Sequence, residues 1–164
     1  MDLDIAMTNE YGDPTERSYC GVDFVITDRS TGQIMGEIQG IKIDVDANDI
    51  TLNANMLVLL QGLNIRDCSG KGFMCTVRYT DTEEIDECLV KMHCPSAEER
   101  MPDAEPSDKY TRSYWTPAAT DLEFFHAETG KKIINVSKFS IEASIDDIVI
   151  QPEITLLGSR IMLD

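Results

Sequence analysis

The chain lacks the features that mark membrane and secreted proteins. It has no run of about 18 apolar residues, which a transmembrane helix would need. Its first residues, MDLDIAMTNEYGD, offer neither the basic start nor the apolar centre of a signal peptide. We therefore expect an intracellular protein, in a host cytoplasm or in a particle assembled there, with no membrane contact.

Basic residues are scarce as well. Lys and Arg number 14 against 30 acids, which gives a formal net charge of −16. Proteins that bind the phosphate backbone of a nucleic acid need clustered Lys and Arg, so direct binding of nucleic acid is disfavoured. An acidic excess of this size is compatible with high solubility, with a basic protein partner or with divalent cations.

Signatures of catalysis are missing. The chain has only two histidines, His93 and His126. It contains no G-x-S-x-G, H-E-x-x-H, P-loop or dinucleotide-binding pattern. No spacing singles out a catalytic pair from its 30 carboxylates. We therefore predict that the protein is not an enzyme, and we assign it no catalytic residue and no cofactor.

Cysteine pairs with metal-site spacing are absent too. The chain has an odd number of cysteines and no C-x-x-C pattern, so reduced thiols are expected. Strand alternation places Cys75 and Cys88 on apolar faces, where a thiol packs as a small hydrophobic group. We assign no metal ligand, and keep as the alternative a zinc site built from Cys68, Cys75, Cys88, His93 and Cys94.

One acidic stretch, IKIDVDANDITL (residues 41–52), partly resembles a calcium loop. Asp44, Asp46 and Asn48 have the spacing of the first three ligands of an EF-hand. Asp49 stands where that loop needs Gly, and Asn55 where it needs Glu. We interpret the acids as a turn between two strands, in which Asp and Asn bond their own backbone, with a weak calcium site as the alternative.

Two stretches of the chain match each other, residues 22–58 and residues 122–156. Both have apolar residues at every second position, a Thr-Gly turn and an Asp-Ile pair. The first turn is two residues shorter in the second stretch, and after the Thr-Gly pair the two stretches align without gaps, which sets Ile43 on Ile141. Alternation of this kind is typical of half-buried strands. We predict an all-β fold, an antiparallel β-sandwich built from two similar three-stranded units.

The remaining residues complete a single domain over 1–164. Residues 1–18 are predicted to be a flexible arm or an edge strand. Residues 62–121 are predicted to be a long acidic insert with a β-hairpin, a short helical turn at PSAEERM and an exposed loop. Functional residues tend to lie on loops that a rigid scaffold presents.

The insert holds the candidate binding residues. Residues 81–108 contain ten acids and two bases, followed by an aromatic cluster. Acids steer a complex towards a basic surface, and aromatic residues anchor it. The predicted partner-binding residues are Glu83, Glu84, Asp86, Glu87, Tyr110, Arg112, Tyr114 and Trp115.

The repeated pattern of Thr-Gly, alternating strand, acidic turn and alternating strand resembles small all-β accessory or virion proteins of tailed bacteriophages. The resemblance covers the two repeats and transfers no functional residue. It implies a non-enzymatic, structural protein that assembles on a particle or binds a host protein. We predict a protein-binding module, an assembly or accessory subunit, and leave a homo-oligomer open. The alternative is an acidic inhibitor that mimics nucleic acid on a basic host enzyme.

Overall fold

The computed structural model describes residues 1–8, 19–20, 23–34, 40–54, 58–100, 116–144 and 150–164. Within these ranges the chain forms strands, one four-residue helix, α1 (Ala97–Arg100), and a short 3-10 turn (Ala119–Asp121). The strands are β1 (Asp2–Met7), β2 (Phe24–Asp28), β3 (Gln33–Ile34), β4 (Gly40–Asp46), β5 (Leu52–Ala54), β6 (Val58–Leu60), β7 (Gly62–Asp67), β8 (Phe73–Tyr79), β9 (Ile85–His93), β10 (Glu123–His126), β11 (Val136–Ser144) and β12 (Glu153–Leu156).

The strands form two sheets that share one core. The small sheet has the order β3-β2-β1-β7, and the large sheet has the order β10-β9-β8-β12-β11-β4-β5-β6. Leu3, Ile5 and Ile65 of the small sheet belong to the same buried cluster as Ile43 and Phe139 of the large one. The predicted all-β, sandwich-like class is thereby confirmed.

Alternation decides which side chains enter that core. In β8 the odd-numbered residues from Phe73 to Tyr79 are buried, and the residues between them are half-buried or exposed. In β11 Phe139, Ile141 and Ala143 are buried in the same way. Successive strand residues point to opposite faces, so every second position is withdrawn from water.

The sheets are mixed rather than purely antiparallel, which corrects the predicted strand orientation. β1 runs parallel to β7, and β12 runs parallel to β8. Parallel neighbours need a long crossover, and here β2–β6 and β9–β11 supply it. Hydrophobic alternation is the same for both orientations, so it cannot reveal which one a strand takes.

The beginning of the chain also differs from the prediction of an arm or edge strand. Residues 2–7 form β1, an interior strand paired with β2 on one side and β7 on the other. Leu3, Ile5 and Met7 are fully buried. Asp4 lies on the opposite face of the strand, where Asn64 and Arg66 of β7 donate hydrogen bonds to its carboxylate. Residues 9–18 lie outside the described ranges.

The two matching stretches contribute differently to the sheets. Their first strands, β2 and β10, lie in different sheets. Their central strands, β4 and β11, pair directly, with Ile43 opposite Ile141. These two residues are also equivalent when the two stretches are aligned. The residue a given number of positions before Ile43 therefore pairs with the residue the same number of positions after Ile141. The duplication itself stays a prediction.

The described parts of residues 62–121, which are residues 62–100 and 116–121, belong to the scaffold and are not an appended insert. β7 belongs to the small sheet, and β8 and β9 lie inside the large sheet between β10 and β12. The predicted hairpin of β8 and β9 is confirmed, with Cys75 opposite Cys88. The predicted helical turn is confirmed as α1, where the Glu99 backbone N–H donates to Ser96 Oγ at 3.2 Å, as at a helix N-cap.

Candidate functional site

The turn of the β8–β9 hairpin concentrates negative charge. Residues 81–87, here called the acidic tip, contain five exposed acids and no base: Asp81, Glu83, Glu84, Asp86 and Glu87. Ile85 lies between Glu84 and Asp86 in this segment and is 53% exposed. The tip thus presents one large apolar side chain among five carboxylates.

Backbone hydrogen bonds hold the acidic tip to the segment that follows β12. The Thr80 N–H donates to the Leu156 carbonyl at 3.0 Å, and the Asp81 N–H donates to the Gly158 carbonyl at 3.1 Å. In return, the Gly158 N–H donates to Thr80 Oγ1 at 2.9 Å. The base of the tip is therefore fixed to the large sheet.

A buried tyrosine supports the other side of the tip. The Tyr79 hydroxyl donates a hydrogen bond to Asp86 Oδ2 at 2.6 Å. Burial, and then the neighbouring Asp86 carboxylate, raise the pKa of Tyr79 to about 12. The phenol therefore stays protonated at neutral pH and acts as a donor that orients Asp86.

An apolar surface, here called the apolar patch, consists of Leu157, Met162 and Leu163. These side chains are 53%, 41% and 37% exposed. The Leu157 N–H donates to the Asn135 carbonyl, and the Ile134 N–H donates to the Met162 carbonyl. Leu157 directly precedes Gly158, which bonds the tip, so the apolar patch and the acidic tip lie at the same end of the large sheet.

The described part of the chain brings half of the predicted partner-binding residues together. Glu83, Glu84, Asp86 and Glu87 all lie on the acidic tip. The other four predicted residues, Tyr110, Arg112, Tyr114 and Trp115, lie outside the described residues. The tip's acids thus form the part of the predicted site whose geometry is visible.

The candidate zinc residues are dispersed. Cys75 and Cys88 face each other in the core, and burial raises the pKa of both thiols. Cys68 is exposed, and His93 Nε2 lies 2.8 Å from Glu99 Oε2 on the surface. No group of three or more His, Cys, Asp or Glu side chains in the described ranges has a geometry suited to a metal ion.

The calcium-like stretch forms a turn whose acids bond the chain itself. Asp49 Oδ2 accepts a hydrogen bond from the Asp46 N–H at 2.9 Å. Asp46 Oδ1 accepts from the backbone N–H and the side-chain amide of Asn48, at 3.1 and 3.2 Å. Asp44 pairs with Lys42 at 3.6 Å. These bonds support the interpretation of the stretch as a self-bonded turn.

A cleft that the sequence did not reveal lies beside the start of β11. It has a volume of about 250 Å³ and is lined by three separate stretches of chain, at 45–47, 119–124 and 132–139. Phe124 and Phe139 lie in its lining, with ring centroids 5.1 Å apart. Lys132, Asn135 and Lys138 contribute its exposed, polar rim.

No family model, curated protein or solved structure matches this chain. In the described ranges, helices are too short to cross a lipid bilayer.

Proposed function

We propose that this chain is a non-enzymatic protein-binding module, an assembly or accessory subunit, whose acidic tip docks on a basic surface of another protein. The observation that carries the proposal is Ile85, 53% exposed in a seven-residue segment with five exposed carboxylates, at the same end of the large sheet as the exposed Leu157. Exposed apolar side chains that lie together and are rimmed by polar residues mark protein-interaction sites.

The two components of the tip have different roles in this proposal. The carboxylates attract a basic surface over a distance of about 8 Å at physiological salt, and so raise the rate of encounter. Ile85, with Leu157 of the apolar patch, loses contact with water only when the partner is docked. These apolar groups therefore govern the lifetime of the complex.

The hydrogen bonds that hold the acidic tip are consistent with a role in binding a protein partner. The tip is joined to the large sheet by three hydrogen bonds through Thr80, Asp81 and Gly158. A preorganised loop loses less conformational entropy on binding than a free one does. Membership of a phage particle, implied by the resemblance of the two repeats, remains a prediction about where such a partner would be found.

The experiment is a capture of partners from the native source with the full-length protein, followed by kinetics on the purified partner. We expect a protein with a basic surface, bound strongly at low salt. Ile85→Ser should speed dissociation and leave association unchanged. Val25→Ser is the matched control, since Val25 is a 41% exposed apolar residue of the small sheet.

Three outcomes would contradict the proposal: capture of no protein, capture of a partner with an acidic face, or identical dissociation rates for Ile85→Ser and Val25→Ser. A nucleic-acid mimic, the alternative function, would show a different pattern. Its binding would depend steeply on salt, compete with nucleic acid and be insensitive to Ile85→Ser.

A further inference from the structure

The turn between β4 and β5 presents an exposed apolar side chain beside acids, as the acidic tip does. Ile50 follows Asp49, and its side chain is 83% exposed, more than that of any other large apolar residue in the described ranges. The Asp49 N–H donates to the Asp46 carbonyl at 2.8 Å, and the Asp46 N–H donates to Asp49 Oδ2 at 2.9 Å. The turn is therefore closed by its own bonds, and Ile50 faces water.

The turn and the acidic tip lie at the same end of the large sheet. β4, β12 and β8 run in one direction, because β11 is antiparallel to both β4 and β12, and β12 is parallel to β8. Backbone bonds join the segments that lie between the tip and the turn at this end. The Leu157 N–H donates to the Asn135 carbonyl, and the Ala47 N–H donates to the Ser137 carbonyl, both at 2.8 Å.

The pairing registers give the distance between Ile85 and the turn. Successive partners from β9 to β4 form one row across five strands: Ile85, Arg78, Thr155, Lys138 and Asp46. This row lies on the outer face of the sheet, because the adjoining row, which contains Val77 and Phe139, is buried in the core. Four strand spacings of about 4.8 Å place the two ends of the row roughly 19 Å apart along the sheet.

Negative charge is in excess at the two ends of this row. The tip carries five acids beside Ile85, and the turn carries Asp49 next to Ile50. The cations between them have acidic neighbours, since Arg78 pairs with Glu153 and Lys138 stands opposite Asp46. A partner that covers the row therefore meets an apolar side chain with acids at each end, and the acidic excess is larger at the tip.

The two ends are close enough to belong to one binding surface. A standard-size interface covers about 800 Å² of each partner, which corresponds to a patch roughly 30 Å across. A separation of roughly 19 Å fits inside such a patch. Exposed apolar groups rimmed by polar residues mark interaction sites, and charge complementarity selects a basic partner.

We propose that one partner protein contacts both Ile85 and Ile50, and that it presents an apolar side chain flanked by basic groups at each of these two points. The inference rests on the proposed protein-binding function. It adds that the binding surface extends from the acidic tip, across the outer end of the large sheet, to the β4–β5 turn. The stretch that partly resembles a calcium loop thereby receives a role in protein binding.

The test uses two synthetic peptides of identical composition, acetylated and amidated at their ends, as probes for such a partner. In the spanning peptide, KWKGSGSGSKWK, a flexible linker separates the two tryptophans by nine positions, which gives a mean separation of roughly 15–18 Å. In the adjoining peptide, KWKKWKGSGSGS, the tryptophans are at most about 11 Å apart. The spanning peptide alone can therefore place one tryptophan on each isoleucine.

Binding of both peptides to the full-length protein is measured by fluorescence anisotropy at low salt. The parent should bind the spanning peptide about fivefold more tightly than the adjoining one, the effect of one further apolar contact. Ile50→Ser should remove this difference by weakening the spanning peptide. Ile34→Ser is the matched control and should preserve the difference, since Ile34 is 67% exposed but lies on the edge strand of the small sheet.

Equal affinities of the two peptides for the parent, or equal effects of Ile50→Ser and Ile34→Ser, would overturn the two-point surface. If Ile85→Ser still weakened both peptides in that case, the acidic tip would stand as a binding site and only its extension to the turn would be wrong. Binding of both peptides that Ile85→Ser leaves unchanged would contradict the protein-binding proposal itself, and this inference with it.

Discussion

The acidic tip and the cleft are opposites in charge and in the way the chain builds them. The tip is seven consecutive residues, 81–87, with five carboxylates. The cleft is assembled from three stretches separated by as many as 72 positions, between Ala47 and Ala119. A contiguous cluster can be read directly from sequence, whereas a cleft becomes visible only when the strand order is known.

The two regions also differ in what supports their apolar groups. Ile85 of the tip is 53% exposed, while Phe139 of the cleft is 2% exposed and packs against Phe124. In our proposal an apolar side chain serves binding at the tip, whereas at the cleft the buried Phe139 stabilises the core.

The largest effect is expected from Phe139→Ala. Removing a buried ring leaves a cavity in the shared core, and we expect a loss of about 3–5 kcal/mol in the free energy of unfolding, measured by urea denaturation. Ile85→Ala, in contrast, should change that free energy by less than about 0.5 kcal/mol. Similar losses in the two variants would mean that the tip is part of the core.

The next effect concerns the tyrosine that supports the tip. Tyr79→Phe removes the donor to Asp86 and should lower the free energy of unfolding by about 1 kcal/mol at neutral pH. Asp86 is exposed, so water can replace the lost bond at its carboxylate and limit the cost. A loss above about 3 kcal/mol, as expected for an uncompensated buried charge, would contradict this account.

The same tyrosine gives a prediction about alkaline pH. Its pKa is raised from 10 in the unfolded chain to about 12 in the folded protein. Above pH 10 the unfolded chain releases this proton first, so folding stability is complete below pH 10 and falls as the pH rises towards 12. Urea denaturation across this range should show a steeper fall for the parent than for Tyr79→Phe, and equal slopes would disprove the assigned shift.

An effect of the same size or smaller is expected at the turn that borders the cleft. Asp49→Ala removes the acceptor of the Asp46 N–H and should cost about 1 kcal/mol of unfolding free energy. Asp44→Ala, which removes only an exposed pair with Lys42, should cost less than about 0.5 kcal/mol. Calcium should not change the melting temperature of the parent; a rise that Asp49→Ala abolishes would reinstate a calcium site.

The smallest effect on stability is expected at the acids that we assign to binding. Glu83→Gln with Glu84→Gln removes two exposed charges from a crowded acidic segment and should change the free energy of unfolding by less than about 0.5 kcal/mol. A marked loss of unfolding free energy, measured by thermal unfolding, would indicate that these acids hold the tip in place and are not available to a partner.

Local patterns were sufficient to predict the class of fold and the β8–β9 hairpin. Phe73, Cys75 and Val77 alternate with more polar residues, and this signal needs no knowledge of the rest of the chain. The stretch PSAEERM likewise predicted the short helix α1. The acids of the tip were recognised because they are adjacent in sequence.

Pairing between distant strands could not be predicted in the same way. Residues 2–7 form an interior strand because β7, some 60 residues later, pairs with them in parallel. Their alternation covers only three apolar positions, Leu3, Ile5 and Met7, and a pattern this short does not distinguish an interior strand from an edge strand. The cleft escaped prediction for a related reason, although the absence of acids between 129 and 141 was a signal that a count of local charge would have found.

The most direct test of the protein-binding proposal is the salt dependence of association with the captured partner, measured for three forms of the protein. These are the parent, Glu83→Gln with Glu84→Gln, and the control pair Asp44→Asn with Glu142→Gln, which removes the same charge from the outer face of β4 and β11. We predict that the tip variant associates more slowly and with a flatter salt dependence, while the control pair behaves like the parent. Equal slopes for the two variants would show that the net charge of the chain, and not the acidic tip, governs the encounter.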